Sequence, residues 1–368
     1  NKTNLASSNY AFLFLNSIDI AASLLSMEAD VNIPDCCKNT ALHYACLVKP
    51  VDEWQRQTIV AKLLKKKADI NAKNIDGRTP LHVASFKKNL VAIEILLKNK
   101  DPGNTVYDDE TDAHRSTPLQ EACQSQDVKV VKTLLAHGVK VNTVTDTGST
   151  PLHISCENGN ARIVSKLLHH GADVNAVNNT GNTSLYVACE KGHANIVNIL
   201  LEKEANVNAA SNNGMTPLRA ACLSGHHSVV QTLLHRGADI SIKDRKGWTP
   251  LHCASQGCNV DVVTLLLDHG GEVNAVTNDG FSPLYIACCH GREEVVKQLL
   301  QNGVDVNAVS NTGETPLYVA CEKGNDHIVS ILLQNKANVK AANNNGITPL
   351  QSACLKSHHR VVQTLLHS

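Results

Sequence analysis

Polar and apolar residues follow a fixed local pattern in the stretch 148–179, GSTPLHISCENGNARIVSKLLHHGADVNAVNN. Thr150 supplies a hydroxyl that can cap a helix, and Pro151 suits the first helical position, where no N–H is needed. That helix ends at Gly159, which can adopt the left-handed conformation of a helix stop. A second helix, closed by Gly171, carries an apolar stripe on one face: Ile163, Val164, Leu167 and Leu168. The segment that follows, ADVNAVNNTG, predicts an extended finger leading to the next helix.

The same unit recurs along the chain at a regular spacing. Ten copies of the opening motif, Thr or Ser followed two places on by Leu, stand at Thr40, Thr79, Thr117, Thr150, Thr183, Thr216, Thr249, Ser282, Thr315 and Thr348. From Thr117 onward every step is 33 residues. Pro takes the second motif position in eight copies and Ala the sixth in nine. This pattern resembles the ankyrin repeat, which has the same period and a T-P-L-H-x-A signature.

The resemblance implies an all-α fold, an α-solenoid of stacked ankyrin helix-turn-helix repeats with β-hairpin-like fingers. One short helix pair cannot bury its apolar face alone, so neighbouring repeats must stack into a continuous core. We therefore expect residues 1–368 to form a single array of about eleven repeats, although this length would otherwise suggest two or three domains.

Three sections are expected within the array. Residues 1–33 form a degenerate N-terminal repeat because they lack the TPLH motif. Residues 34–111 hold two repeats with insertions, and residues 112–368 hold regular 33-residue repeats, the last one truncated as in a piece of a longer protein. The second insertion carries an acidic run that is either a site for a basic partner or a solvated loop tip: Asp108, Asp109, Glu110 and Asp112.

A longer period lies within the regular repeats. The sequence YVACEKG at 186–192 returns at 318–324, a shift of 132 residues, which is four repeats. The duplication brings the pair Glu190 and Lys191 back as Glu322 and Lys323. Two similar patches would let the chain engage two similar epitopes with increased avidity. Shared ancestry explains their identity equally well.

Charge and cysteine usage narrow the class of protein. Lys plus Arg and Asp plus Glu number 34 each, so no nucleic-acid partner is indicated, and no apolar run is long enough for membrane insertion. Eight of 13 cysteines share the position after the motif Ala. Successive repeats lie too far apart for disulfides, so we interpret these thiols as small core residues in a reducing, cytoplasmic location. The eight are Cys46, Cys123, Cys156, Cys189, Cys222, Cys288, Cys321 and Cys354.

The polar residues of the motif are better explained by structure than by catalysis. No catalytic, nucleotide-binding or metal-binding motif is present, so we expect no enzyme activity, no cofactor and no metal. The resemblance implies that the motif histidines tie neighbouring fingers: His43, His82, His153 and His252. Asparagines in the fingers are interpreted as turn residues, and in this family such residues can be hydroxylated: Asn32, Asn71, Asn142, Asn175, Asn208, Asn274 and Asn307.

Finger tips and first-helix ends remain for partner recognition, on the surface that is concave in ankyrin arrays. Trp, Phe, Met and Arg dominate interface energies, and aromatic residues make up only 3% of this chain. Trp248 and Phe281, in successive fingers, are therefore either the centre of a binding site or partly covered finger residues. The full candidate set adds Arg245, Lys246, Asp279, Met215, Glu190, Lys191, Glu322, Lys323 and Phe86.

The sequence thus predicts a non-catalytic, monomeric scaffold that binds partner proteins or peptides. Two alternatives stay open, since both would use the same array. It could be the cytosolic domain of a membrane protein such as an ion channel, serving as a linker or elastic element. It could also target an enzyme encoded outside this stretch.

Overall fold

The computed structural model describes residues 30–47, 53–99, 111–257 and 259–367, with the side chains of 53–58 excepted. Most of the predicted degenerate repeat 1–33 lies outside these residues, as do Asp108, Asp109 and Glu110 of the acidic run. The chain divides into two compact units, Asn1–Asn179 (unit 1) and Thr180–Ser368 (unit 2).

Four helix pairs are described in unit 1. Each pair consists of a first helix that opens at the repeat motif and the second helix that follows it in the chain. They are α1 (Ala41–Leu47) with α2 (Glu53–Lys65), α3 (Pro80–Phe86) with α4 (Leu90–Lys98), α5 (Pro118–Ser125) with α6 (Val128–Ala136), and α7 (Pro151–Glu157) with α8 (Ala161–His169).

Six further pairs are described in unit 2. They are α9 (Ser184–Glu190) with α10 (Ala194–Glu202), α11 (Pro217–Ser224) with α12 (His227–His235), α13 (Pro250–Gly257) with α14 (Val260–Asp268), α15 (Pro283–Cys289) with α16 (Glu293–Gln301), α17 (Pro316–Lys323) with α18 (Asp326–Gln334), and α19 (Pro349–Leu355) with α20 (His359–Leu366). Within each unit, first helices pack on first helices of the next pair and second helices on second helices. The predicted all-α solenoid is confirmed.

The local signals act as the sequence predicted. Thr150 has an extended backbone and its hydroxyl accepts the N–H of His153, while Pro151 takes the first position of α7. On α8, Ile163, Val164 and Leu167 are fully buried. Leu168, the fourth predicted member of that stripe, is only half-buried at its edge.

Cysteine fills the core between first helices. Seven of the eight motif cysteines are buried, and none of the twelve cysteines in the described residues is in a disulfide. Burial raises the pKa of Cys123 and of Cys321 to about 12, so these thiols stay protonated. The exception is Cys354, which is exposed on α19, the last first helix of the described chain.

The fingers are hairpin-like turns, and none of the described residues forms a β-strand. In the finger before α7, the N–H of Thr145 donates to the carbonyl oxygen of Ser149 at 3.1 Å, and the N–H of Gly148 donates back to Thr145 at 2.9 Å. Gly148 has a φ of +77°, which only glycine adopts readily at a turn this tight. This finger tip is therefore closed by its own main chain.

Candidate functional site

The motif histidine joins each first helix to the next finger. In His82, Nδ1 accepts the main-chain N–H of Thr79 at 3.2 Å, and Nε2 donates to the carbonyl oxygen of Ser116 at 2.9 Å. His43 and His252 bond in the same way to the carbonyls of Arg78 and Phe281. The implied role of these three histidines in tying neighbouring fingers is confirmed.

These rings are held in the neutral state. Burial lowers the pKa of His82 and of His252 to about 4, against an ordinary value of 6.5. The geometry agrees, because Nδ1 must stay unprotonated to accept a main-chain N–H. The motif histidines of α3 and α13 are therefore structural groups, without the free lone pair that a general base or a metal ligand needs.

Other side chains at the histidine position make equivalent bonds to the next finger. Gln120 donates to the carbonyl oxygens of Thr143 and Ser149 at 3.0 and 3.1 Å. Tyr285 donates its hydroxyl to Glu314 Oε2 at 2.7 Å. Sequence reasoning missed these ties, although aligning the ten repeat copies would have shown that this position is always polar or aromatic.

Arg219 is the most unusual of these replacements. Its side chain is 1% exposed, its Nη2 lies 2.7 Å from Asp244 Oδ2, and its Nη1 donates to the carbonyl oxygen of Gly214. The other carboxylate oxygen of Asp244 accepts the N–H groups of Lys246 and Trp248, both at 2.8 Å. A buried ion pair thus fixes the finger tip that carries the candidate residues Arg245, Lys246 and Trp248.

Neighbouring fingers are also bonded directly to each other. The main-chain N–H and the side-chain amide of Asn278 donate to the carbonyl oxygens of Lys246 and Arg245, both at 2.9 Å. Asn311 donates in the same way to Asp279 and Asn278. Three successive fingers of unit 2 therefore form one hydrogen-bonded row.

The predicted finger asparagines tie repeats together at the base of the fingers. The side-chain oxygen of Asn274 accepts the N–H of Asp305 at 2.8 Å, and that of Asn307 accepts the N–H of Asn338 at 2.8 Å. A turn residue would be expected to bond within its own loop. Their partners instead lie one repeat further along the chain. Hydroxylation of these residues stays a prediction.

Trp248 and Phe281 are both half-buried. The centroid of the Trp248 ring lies 5.9 Å from that of His252, and the Phe281 ring stacks on Tyr285 at 4.5 Å with 14° between the planes. Each ring therefore packs on the first helix of its own repeat and keeps part of its surface open. Arg245, Lys246 and Asp279 are exposed beside them, and Met215 is half-buried.

The two charged pairs at first-helix ends share one main-chain contact. Glu190, Lys191 and Lys323 are exposed and Glu322 is half-buried. The main-chain carbonyl oxygen of Glu190 accepts a bond from His226 Nε2 at 3.0 Å, and that of Glu322 accepts one from His358 at 2.9 Å. The sequence duplication thus repeats this main-chain bond, whereas only Glu322 also lies near a lysine of the next repeat, Lys356 at 3.9 Å. Phe86, 38% exposed, belongs to unit 1 and lines a cavity there.

In the described part of the chain, no three His, Cys, Asp or Glu side chains are grouped so that they could hold a metal ion. None of the described helices has the length and apolar character needed to cross a membrane.

Stacked helix pairs joined by bonded fingers define the class of α-solenoid repeat proteins. A family model described as ankyrin repeats (3 copies) matches residues 9–106, 105–178, 175–244, 241–310 and 296–368. The chain belongs to the ankyrin-repeat family, whose members are in general protein-interaction scaffolds.

A solved structure is similar to much of the chain. The crystal structure of the human ASB11 ankyrin repeat domain is 32% identical in sequence, with a TM-score of 0.56. The match covers 60% of this chain and 97% of that one. No curated protein sequence matches the chain.

Proposed function

We infer that the finger row of unit 2 binds a partner protein or peptide, with Trp248 and Phe281 as its anchors. The observation that carries this inference is the way both rings are held. Each packs on its own first helix, and the fingers that carry them are bonded to each other. Anchors fixed before binding lose little conformational entropy when a partner arrives, and that increases affinity.

Charges surround these anchors with both signs. Arg245 and Lys246 stand on one finger tip and Asp279 on the next, all exposed. Exposed charges at the rim of an interface mainly select the partner and accelerate association. The first-helix ends Glu190, Lys191, Glu322 and Lys323, together with Met215, extend the proposed surface within the same unit.

The remaining expectations form part of the same proposal. The protein acts as a monomer without cofactor, metal or catalysis, and it does not bind nucleic acid, in accord with its net charge of zero. Its unbridged thiols support a reducing, cytoplasmic location.

Selection from a random peptide library displayed on phage tests the proposal. The full chain is the bait, and affinities of the selected peptides are measured by fluorescence polarisation. The double variant Trp248→Ala, Phe281→Ala should bind these peptides at least tenfold more weakly, because each ring is expected to contribute more than about 1 kcal/mol. Its melting temperature should fall little, since both rings are only half-buried and neither is part of the core between the helices.

Arg236→Ala is the matched control, because this exposed residue caps the second helix α12 and lies outside the finger row. It should leave peptide affinity unchanged. If every selected peptide binds the double variant as well as the wild type, the finger row is not the binding surface. If selection yields no binder at all, the linker alternative is favoured.

A further inference from the structure

Two successive first helices of unit 1 expose apolar side chains at the same repeat position. Leu47, at the end of α1, is 41% exposed, and Phe86, at the end of α3, is 38% exposed. Both line one cavity of about 260 Å³, together with Tyr44, Asp76, Arg78 and Lys87. The cavity lies between finger residues and first helices, the elements that a partner of an ankyrin array would meet.

The size of the cavity indicates what it can hold. Sites for drug-sized ligands usually have volumes of roughly 300–1,000 Å³. A volume of about 260 Å³ is below that range, and it suits one or two amino-acid side chains. Because Leu47 and Phe86 form its apolar walls, the inserted side chain should be large and apolar.

The two cations beside Phe86 differ in their ion pairing. The guanidinium carbon of Arg78 lies 5.5 Å from the ring centroid, and Lys87 Nζ lies 5.4 Å from it. Arg78 is paired with two carboxylates, Glu121 at 2.9 Å and Asp112 at 3.5 Å. Across the described residues, no carboxylate lies within ion-pair distance of Lys87.

The other charge on the cavity wall is the exposed carboxylate of Asp76, on the finger before α3. It forms no ion pair with Lys87. The wall therefore offers one available positive charge beside the apolar surface and one negative charge on the finger. An acidic group of a ligand would be attracted by Lys87 and repelled by Asp76.

We propose that this cavity binds a linear peptide segment of a partner protein, which inserts a large apolar side chain between Leu47 and Phe86 and pairs an adjacent Asp or Glu with Lys87. This proposal rests on the inferred protein-interaction function. It adds a second binding surface, in unit 1, for a peptide that combines an apolar and an acidic side chain.

The phage-displayed random peptide library is again the probe, and the full chain is the bait. Peptides that need this cavity should contain a Leu, Ile, Phe or Trp next to an Asp or Glu. Phe86→Ala and Leu47→Ala should each weaken their binding about tenfold. Selection on Lys87→Glu should replace the acidic neighbour by Lys or Arg, whereas Asp76→Asn should tighten the wild-type peptides a few fold.

Leu223→Ala is the matched control. Leu223 occupies the position of Leu47 and Phe86 on α11 and is 37% exposed, but it does not line the cavity. It should leave the affinity of these peptides unchanged. Lys87→Glu and Asp76→Asn alter exposed charges, so they keep the test valid if Phe86→Ala lowers the melting temperature.

The outcomes distinguish the cavity proposal from the proposal that the finger row of unit 2 binds peptides. If the selected peptides lose affinity only in the Trp248→Ala, Phe281→Ala variant, the cavity proposal fails and the finger-row proposal stands. If peptides bind Phe86→Ala more weakly but bind Lys87→Glu and Asp76→Asn with wild-type affinity, the proposed acidic residue of the partner is wrong. If the acidic preference reverses in Lys87→Glu, the proposal is supported even where the finger row binds nothing.

Discussion

His226 lies against Gly192 of the preceding repeat, and its Nε2 donates to the main-chain carbonyl oxygen of Glu190 at 3.0 Å. A Cβ atom added at Gly192 would lie 2.6 Å from the imidazole ring. The glycine that ends α9 is therefore required for two reasons. It has a φ of +75°, and it leaves room for the ring that joins two repeats.

Gly192→Ala should lower the free energy of unfolding by more than the cost of placing an alanine in the left-handed conformation. That backbone costs about 1–2 kcal/mol for a residue with a Cβ, and overpacking typically adds about 1–3 kcal/mol. Urea unfolding followed by circular dichroism gives the measurement. Gly237→Ala is the control, since Gly237 has a φ of +81° but no atom within 4 Å of an added Cβ.

The excess cost can be assigned to the ring with a double variant. In Gly192→Ala, His226→Ala the clash is absent, so the loss should be smaller than the sum of the two single losses. If Gly192→Ala and Gly237→Ala destabilise equally, the close approach of His226 has no energetic consequence and the interpretation is wrong.

Asp244→Asn should destabilise unit 2 strongly. The amide oxygen of Asn can still accept the N–H groups of Lys246 and Trp248, but Arg219 would keep a charge without a partner in a site where it is 1% exposed. Removing one partner of a buried ion pair typically costs about 3–5 kcal/mol. Thermal unfolding of the variant measures the loss.

Glu293→Gln is a suitable comparison, because the ion pair of Glu293 with Lys297 has a similar distance of 2.8 Å but exposed side chains. It should change the melting temperature very little. The variant Arg219→Leu, Asp244→Asn removes both charges and should recover part of the loss. If Asp244→Asn unfolds at the wild-type temperature, the pair does not hold the finger.

Much of the fold follows from local signals in the sequence. Thr150 and Pro151 open a helix within one copy of the motif, and cysteines such as Cys156 take the same motif position in eight of the ten copies. The bond from Arg219 to Asp244 was not foreseen, because it depends on how one repeat is set against the next. Trp248 and His252 are only four residues apart, but Trp248 precedes the helix that begins at Pro250, so helical spacing alone does not predict that its ring is partly covered.

The cavity beside Phe86 was beyond sequence reasoning for a different reason. Phe86 itself stood out as a rare aromatic residue at a first-helix end. Its cavity is formed by residues from two fingers and two helices, and their separation in the sequence spans an insertion. Repeat spacing does not determine which side chains remain uncovered where the spacing changes.

Stability should fall as the pH decreases from about 6.5 toward about 4. The pKa of His82 and of His252 is about 4 in the folded protein and 6.5 ordinarily, so in this range the unfolded chain binds protons that the native protein does not. Each histidine then removes up to about 1.4 kcal/mol of stability per pH unit. Urea unfolding at several pH values measures the slope.

The control for this pH dependence comes from the chain itself. Gln120 occupies the histidine position of α5, accepts the N–H of Thr117 at 2.8 Å and donates to the next finger. His82→Gln with His252→Gln should therefore preserve the fold and flatten the slope between pH 5 and 7. An unchanged slope would mean that other groups cause the acid sensitivity.

Thiol labelling should separate the cysteines by their place in the stack. Within the described chain, Cys36, Cys37 and Cys354 are exposed and Cys289 is half-buried, whereas the other eight are buried: Cys46, Cys123, Cys156, Cys189, Cys222, Cys253, Cys288 and Cys321. The three exposed thiols should react with N-ethylmaleimide in the native protein, and Cys289 more slowly. The eight buried thiols should react only after unfolding, because burial blocks access and opposes thiolate formation. Peptide mass spectrometry assigns each site.

The order in which buried thiols are labelled during partial unfolding shows which helix pairs open first. At a urea concentration where only part of the stack opens, a thiol should become reactive together with the helix pair that covers it. Cys321 is covered by the helix pair α19 and α20 and should react before Cys222, which has several pairs on its C-terminal side within unit 2. If all eight buried thiols become reactive at one urea concentration, the repeats unfold as a single cooperative body. If they already react in native buffer, the thiols are not packed between the first helices.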